Sequence, residues 1–417
     1  MTVPTITPQI NGYRLAWGEE RIIVSVSRLR LHTSDGRVTG EITIEAVNDG
    51  KPIRVFPPTD FNFTSEVTRT RLAKNLATKF AGSIDWALML DQLCEGVVER
   101  ARQGEPVQEL WTSDDVPDLV YLLHPILIRG VPTIVFGEKG VAKSTLSQIC
   151  YLILSLPWHD NPLGLGAPPE PVRTLVLDYE LPGEIAQRNM KRLQEGMDLP
   201  PVLLYHRRCF APLVDDIEQV ANHVAAVKAE VVIIDSLAGA CGGDLIKTEP
   251  ANRFYEALGK LKVTSLILAQ TSKDLEGKRK TVYGNALFTY YARSIFELCR
   301  SDFSADGLSV GLFHRWANLT RLHDSMGFRL SFNGTHTTVE REPVNIIEFK
   351  DKINKRDAVL GVLKRGALSF PALEAELGGG GSSALRVLLS RMKQQGLVTN
   401  PEHGTWGLAD RPKSNVT

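Results

Sequence analysis

Gly137-Glu138-Lys139-Gly140-Val141-Ala142-Lys143-Ser144-Thr145 stands between an apolar run, Thr133 to Phe136, and a stretch with helical spacing. A strand before and a helix after are the context of a phosphate-binding loop. Backbone N–H groups of a glycine-rich turn and of a helix N-terminus wrap phosphate oxygens. Lys143 would set a compact positive charge on the outer phosphates of a nucleotide, and the Ser144 hydroxyl would complete the shell of a Mg²⁺ ion. One position departs from the G-x-x-x-x-G-K-[ST] pattern. Ala142 stands where a third glycine is usual, and an alanine fits there if its φ is negative.

Two further carboxyl positions belong with this loop. Val231-Val-Ile-Ile-Asp235-Ser236 reads as a buried strand ending in an aspartate, which beside such a loop holds Mg²⁺ through water. The residue after Asp235 is Ser rather than Glu, so a general base must come from elsewhere. Leu175-Val-Leu-Asp178-Tyr-Glu180 offers one at the end of the preceding strand, with Glu180 polarising the attacking water. The bland reading of Asp178 and Glu180 is that they cap a strand.

These segments resemble the RecA-like ATPases, and more closely the RepA-like branch of hexameric plasmid and phage replication ATPases. The resemblance runs from Pro125 to Val339 and includes two further stretches. In Leu268-Ala-Gln270-Thr-Ser-Lys273 it implies a polar sensor of the γ-phosphate at Gln270. In Gly284-Asn-Ala-Leu-Phe-Thr-Tyr-Tyr-Ala-Arg293-Ser it implies an arginine finger, Arg293, that reaches a neighbouring subunit's nucleotide, with Lys273 a second such candidate. The basic loop between them carries Lys273, Lys278, Arg279 and Lys280 and would face single-stranded DNA in a ring. The resemblance therefore implies ATP and Mg²⁺ as cofactors, hydrolysis, a homo-oligomer of hexameric type, and single-stranded DNA and other replication proteins as partners. An alternative on the same core is an ATP-dependent switch that loads a helicase or regulates replication or transcription. A small-molecule kinase is a third reading. Arg315 and Arg321 read as structural ion pairs.

The elements that must position these residues are legible in outline. Short apolar runs at Thr133–Phe136, Thr174–Leu177, Val202–Tyr205, Val231–Ile234 and Ser265–Ala269 alternate with amphipathic stretches, as buried parallel strands with crossover helices do. Runs at Ser294–Cys299, Leu308–Phe313 and Gly327–Phe332 would extend the sheet with antiparallel strands. The fold class is α/β, a RecA-like P-loop core with a mostly parallel sheet. An N-terminal α+β module spans 1–117, the core 118–340 and a charged linker 341–356. The N-terminal module reads as a hairpin, Arg21–Leu31 with Glu41–Val47, closed at Pro57-Pro58 and followed by helices Val67–Phe80 and Ile84–Gln103. A winged helix-turn-helix over 357–410 precedes a tail, 411–417. Its third helix would present Arg386, Arg391 and Lys393 to a major groove, with His403 and Trp406 on the wing.

Composition is compatible with this outline. The 417 residues hold 48 Lys+Arg against 48 Asp+Glu, so neither a globally basic coat protein nor an acidic disordered tail is expected. Apolar runs are too short for a membrane span, and the N-terminal MTVPTITPQI lacks the pattern of a signal peptide. The five cysteines are scattered and odd in number, which fits buried thiols in a reducing cytoplasm.

Overall fold

The computed structural model describes residues 2–32, 34–80, 84–104, 107, 109, 118–272, 281–304, 307–344, 355–377, 382–402 and 404–409. Its packing separates two units. The first comprises Met1–Asp118, Ala211–Lys228 and Asn252–Lys262; the second comprises Leu119–Phe210, Ala229–Ala251 and Val263–Thr417.

The chain opens with strands β1 (Thr5–Gln9), β2 (Gly12–Trp17), β3 (Ile22–Leu31), β4 (Val38–Asn48) and β5 (Lys51–Asn62), then helices α1 (Glu66–Lys79) and α2 (Trp86–Gln103). The strands form one antiparallel meander in sequence order. Alternation in β4 puts Val38, Gly40, Ile42 and Ile44 on the buried face. Trp17, Val24 and Ile42 meet Leu76, Leu90 and Leu93 of the two helices in one core. The sheet is larger than the hairpin expected from sequence. Pro57 and Pro58 lie inside β5, an edge strand whose pairing with β4 is irregular around Ile42 to Glu45. A proline is tolerated there because no further strand asks for its missing N–H.

After α2 the chain continues with β6 (Tyr121–Leu123), β7 (Leu127–Ile128) and β8 (Pro132–Gly137), followed by α3 (Lys143–Ser155), β9 (Thr174–Asp178), α4 (Gly183–Gly196), β10 (Tyr205–Arg208), α5 (Leu213–Val227), β11 (Val231–Asp235), α6 (Leu237–Cys241), α7 (Thr248–Leu261) and β12 (Thr264–Gln270). It continues through α8 (Leu287–Tyr291), β13 (Ser294–Ser304), β14 (Gly307–Ala317), β15 (Met326–Phe332) and β16 (Thr337–Glu342). One sheet of nine strands results, ordered β10-β9-β11-β12-β8-β13-β14-β15-β16. The pairs from β10 to β13 are parallel, and those from β13 to β16 antiparallel. Two expectations change here. The strand expected at Val202–Tyr205 starts only at Tyr205, and β13, expected antiparallel, runs parallel to β8. Helices α5 and α7 fall in the first unit. There Asp215 of α5 pairs with Arg30 and Arg253, and Lys260 of α7 donates to Asn11. A bulge in β3 after Ser27 leaves the Arg28 N–H outside the ladder, and Glu218 of α5 accepts it at 2.7 Å.

The C-terminal segment holds α9 (Lys355–Leu363), β17 (Leu368–Ser369), α10 (Phe370–Glu376), α11 (Ser382–Gln394), β18 (Val398–Thr399) and β19 (Thr405–Leu408). Its three strands are ordered β17-β19-β18. Val359, Val362, Leu373, Leu389 and Met392 form a small core, against which Trp406 packs half-buried. Trp406, expected on the wing, takes part in the packing of this segment. All five cysteines are buried thiols, and burial pushes Cys94 up to about 11 and Cys150 up to about 12, which makes both inert. No helix among the described residues is long and apolar enough to cross a membrane.

Arg315 and Glu297 form a buried ion pair in the sheet, at 2.6 Å, with the guanidinium also 4.7 Å from the Phe313 ring centroid. The Glu297 side chain is only 4% exposed. Removing one partner of such a pair strands the other charge in a poor solvent. Arg315→Met is therefore expected to destabilise the chain by about 3–5 kcal/mol. The paired Arg315→Met/Glu297→Leu change should recover most of it, as read by denaturant unfolding.

Candidate active site

The parallel register places the candidate residues on one sheet edge. At the C-terminal ends of adjacent strands, Arg208 stands opposite Asp178, Asp178 opposite Asp235, and Gln270 opposite Gly137. Ligands of open α/β sheets bind outside these carboxyl ends.

The loop from Gly137 to Ala142 joins β8 to α3. A Cβ at Gly137 would collide with the Leu298 carbonyl of β13, and Gly140 sits at φ +79°, so both glycines are required by the backbone. Helix α3 starts at Lys143, and its Ala142 N-cap supplies no side-chain hydrogen bond. The first-turn amides of Lys143, Ser144 and Thr145 are thus left to an external acceptor, which an anion at the positive helix end would be. The Lys143 ammonium donates to the carbonyls of Gly137 and Glu138 at 2.9 and 2.8 Å. Burial pulls its pKa down, opposed by the charges of Asp235, Glu180 and Glu138. Glu138, Lys139 and Val141 complete the turn, with Val141 buried in the core of the second unit.

Ala142 has φ +66° and ψ +33°, not the negative φ that an alanine prefers. The expectation that alanine would sit there unstrained is therefore corrected. The loop demands the left-handed conformation of the glycine it lacks, at about 1–2 kcal/mol for a residue with a Cβ.

The Ser144 hydroxyl lies beside the Asp235 carboxyl. Burial pushes Asp235 up to about 6; the nearby Ser144 hydroxyl and Lys143 oppose this, while the charges of Glu180 and Asp178 add to it. A hydroxyl and a carboxyl side by side, hard oxygen donors at the end of a phosphate loop, fit Mg²⁺ with its waters and phosphate oxygens. Beside them the Ser236 hydroxyl donates to Glu180 Oε1 at 2.7 Å. The residue that replaces a glutamate after Asp235 thus holds the glutamate that comes from β9. Gln270 is exposed at the end of β12, and its carbonyl accepts from the Tyr283 N–H at 2.8 Å. Thr271 bridges Val282, so the segment between leaves and returns beside Gln270.

The structure brings together Lys143, Ser144, Asp235, Glu180 and Gln270. It does not bring Arg293 to them. The Arg293 N–H bonds the Pro132 carbonyl at the start of β8, whereas the phosphate loop leaves its end. Five residue steps of strand, roughly 16 Å, separate the two ends. Lys273, Lys278, Arg279 and Lys280 lie outside the described residues, as does His403. Arg386, Arg391 and Lys393 are all exposed on α11, but the Arg386 guanidinium lies 5.0 Å from the Phe370 ring centroid, and Arg391 is turned roughly 140° from it on the helix. Sequence reading missed Ser236 and His206. The signal for Ser236 is a polar residue directly after a fully buried strand; β10, half-buried throughout, offers no such signal for His206.

A profile of the AAA domain matches residues 100–276. No curated protein matches the chain. Among solved structures, a KaiC-like protein from the hyperthermophilic archaeon Pyrococcus horikoshii OT3 is 15% identical, over 52% of this chain and 93% of that one, with a TM-score of 0.36. Over those residues the chain is similar to the AAA domain, and its strand ends carry a phosphate-loop geometry beside a large, mostly parallel sheet.

Two outcomes follow from the strain and the charge. Ala142→Gly should stabilise the chain by about 1 kcal/mol, because the left-handed site no longer opposes a Cβ; a thermal melt in which it lowers the midpoint would refute this. Asp235 titrates near 6 when folded against an ordinary 3.8. Its stabilising contribution is complete below the ordinary value and is lost as pH rises through 6. Without added nucleotide or Mg²⁺, Asp235→Asn should therefore be more stable than wild type at pH 7.5, by about 3 kcal/mol at most. The advantage should vanish near pH 4 in unfolding curves taken across that range.

Proposed function

We propose that the chain is an ATP-hydrolysing, ring-forming ATPase that processes DNA, of the RepA-like replication type. The observation that carries the hydrolytic part is the grouping at the strand ends: Ser236 bonds Glu180 at 2.7 Å, and Ser144 stands beside Asp235. In this reading Lys143 and the amides of residues 137–145 hold the phosphates of ATP, and Ser144 and Asp235 hold Mg²⁺, which supplies charge stabilisation at the transferring phosphoryl group. Glu180 accepts the proton of the attacking water, and Ser236 keeps its carboxylate from turning away.

Gln270 stands beside Gly137 and opens the segment 271–282, so a change at the γ-phosphate has a short path to the basic loop. Arg293 is far from its own Lys143 at the opposite strand ends, which supports a role on a neighbouring subunit's nucleotide, in a hexameric homo-oligomer. Single-stranded DNA is assigned to the loop bearing Lys273, Lys278, Arg279 and Lys280 on charge alone. The three-helix, three-strand segment around α11 is read as a winged helix that contacts DNA or a replication partner through Arg386, Arg391 and Lys393.

A switch that binds ATP and hydrolyses it slowly is the second reading. The left-handed Ala142 favours it, because a Cβ there crowds the approach to phosphate. Lys143→Ala is expected to lower ATP hydrolysis at least 100-fold, and Glu180→Gln to do so while nucleotide still binds. The motor reading further requires single-stranded DNA to raise the wild-type rate and native mass measurement to show a ring. ATPase activity indifferent to DNA, from a chain that stays monomeric with ATP, would leave only the enzyme.

A further inference from the structure

Asp178 takes no part in the scheme above, yet its carboxylate is completely engaged. It is 4% exposed at the end of β9. Oδ1 accepts the backbone N–H of Glu180 at 2.8 Å and of Leu181 at 2.6 Å. Oδ2 faces His206 Nε2 at 3.2 Å, and the His206 side chain is itself 8% exposed. The Arg208 guanidinium lies 3.5 Å from Oδ1. Burial alone would raise the Asp178 carboxyl, but His206 and the two amides together hold it below its ordinary value. Facing an ionised carboxylate, Nε2 carries the proton and donates.

The consequence is mechanical. Two charge-assisted bonds close a turn directly ahead of Glu180 and fix its backbone. The backbone reaches across as well, with the Tyr179 N–H on the Asp235 carbonyl at 2.6 Å and the Cys209 N–H on the Asp178 carbonyl at 2.8 Å. The Glu180 carboxylate is then held from its far end by Ser236 at 2.7 Å. Glu180 is thus held twice, once through its amide and once through its side chain. His206 sits on the edge strand β10 and reaches inward to the one carboxylate oxygen that the turn does not use.

We infer that Asp178 and His206 act as a positioning pair that aims Glu180 at the reacting phosphate, with His206 holding Oδ2 so that Oδ1 keeps both amides. The inference rests on Glu180 being the general base. Without the imidazole donor, Asp178 turns toward Arg208 and the turn loosens. A displacement of 1 Å at a reacting group can cost about 100-fold in rate. The effect falls on the chemical step rather than on nucleotide affinity, because neither residue belongs to the phosphate loop.

The test is steady-state ATP hydrolysis by the full chain, with nucleotide affinity measured separately by a fluorescent ATP analogue. His206→Leu should lower kcat at least tenfold while KM and analogue affinity stay within twofold. His206→Gln, whose amide can donate to Asp178, should recover most of the loss. A folded His206→Leu with wild-type kcat overturns the inference. So does a raised KM at unchanged kcat, or a Gln variant no better than Leu. Should His206→Leu fail to fold, Asp178→Asn decides: lowered kcat at unchanged affinity supports the pair, and wild-type kcat overturns it. Glu180→Gln is run alongside. If it hydrolyses ATP at the wild-type rate, the general-base reading has failed. If it is inactive while the His206 and Asp178 variants are not, only the positioning pair has failed.

Discussion

Two buried carboxyls on neighbouring strands govern this structure. The register of β9 with β11 sets Asp178 directly opposite Asp235, and neither can move without shifting a strand. Like charges at such spacing in a poor solvent cannot both ionise cheaply, so their surroundings must part them. They do. Asp178 receives two amides and an imidazole and stays charged, whereas Asp235, with only the Ser144 hydroxyl nearby, is pushed up to about 6 by burial. Carboxyls driven apart in this way take different roles. One becomes a fixed anchor for the chain. The other carries its charge above about pH 6 only at a cost, one that a bound cation would relieve, which suits a magnesium ligand.

The rest of the edge is arranged around that division. Lys143 turns back onto its own loop carbonyls and lies within reach of three carboxylates, so its charge is balanced before any phosphate is present. A triphosphate with Mg²⁺ brings both signs at once and lets each residue exchange an internal partner for a ligand. The first-turn amides of α3 have no such internal substitute, because Ala142 provides no capping side chain. The loop therefore combines a strained residue, uncapped amides and a self-satisfied lysine. An anion would give the amides a partner and the lysine a ligand, while the strain at Ala142 stays with the backbone.

Much of this edge was legible from residue types alone. The phosphate loop, the apolar run into Asp235 and the position of Glu180 announce themselves because each is local: a few residues in a fixed order. What was not legible depends on non-local pairing. β10 was expected at Val202–Tyr205 from its apolar residues, but it begins at Tyr205 and runs through His206 and the arginines to Arg208. A strand of that composition looks like a surface loop until Asp178 is known to stand beside it. The N-terminal meander was under-read for a similar reason. Pro57 and Pro58 look like a stop, and only the absence of a further neighbour for β5 makes them acceptable. The αL geometry of Ala142 was likewise hidden, since residue type argued for the opposite sign of φ.

The placement of Arg293 shows how far one subunit's geometry carries the functional argument. A side chain that serves its own nucleotide must lie at the strand ends that carry the loop. Arg293 immediately precedes β13, and because β13 is parallel to β8 the whole length of the shared ladder lies between it and Gly137. Had β13 been antiparallel, as its place after the crossover helices suggested, the start of the strand would have faced the loop and the arginine could have acted on its own site. The parallel register removes that option. Any catalytic use of Arg293 therefore requires a second copy whose phosphate loop meets this opposite edge, and a head-to-tail contact of that kind closes into a ring when its rotation allows.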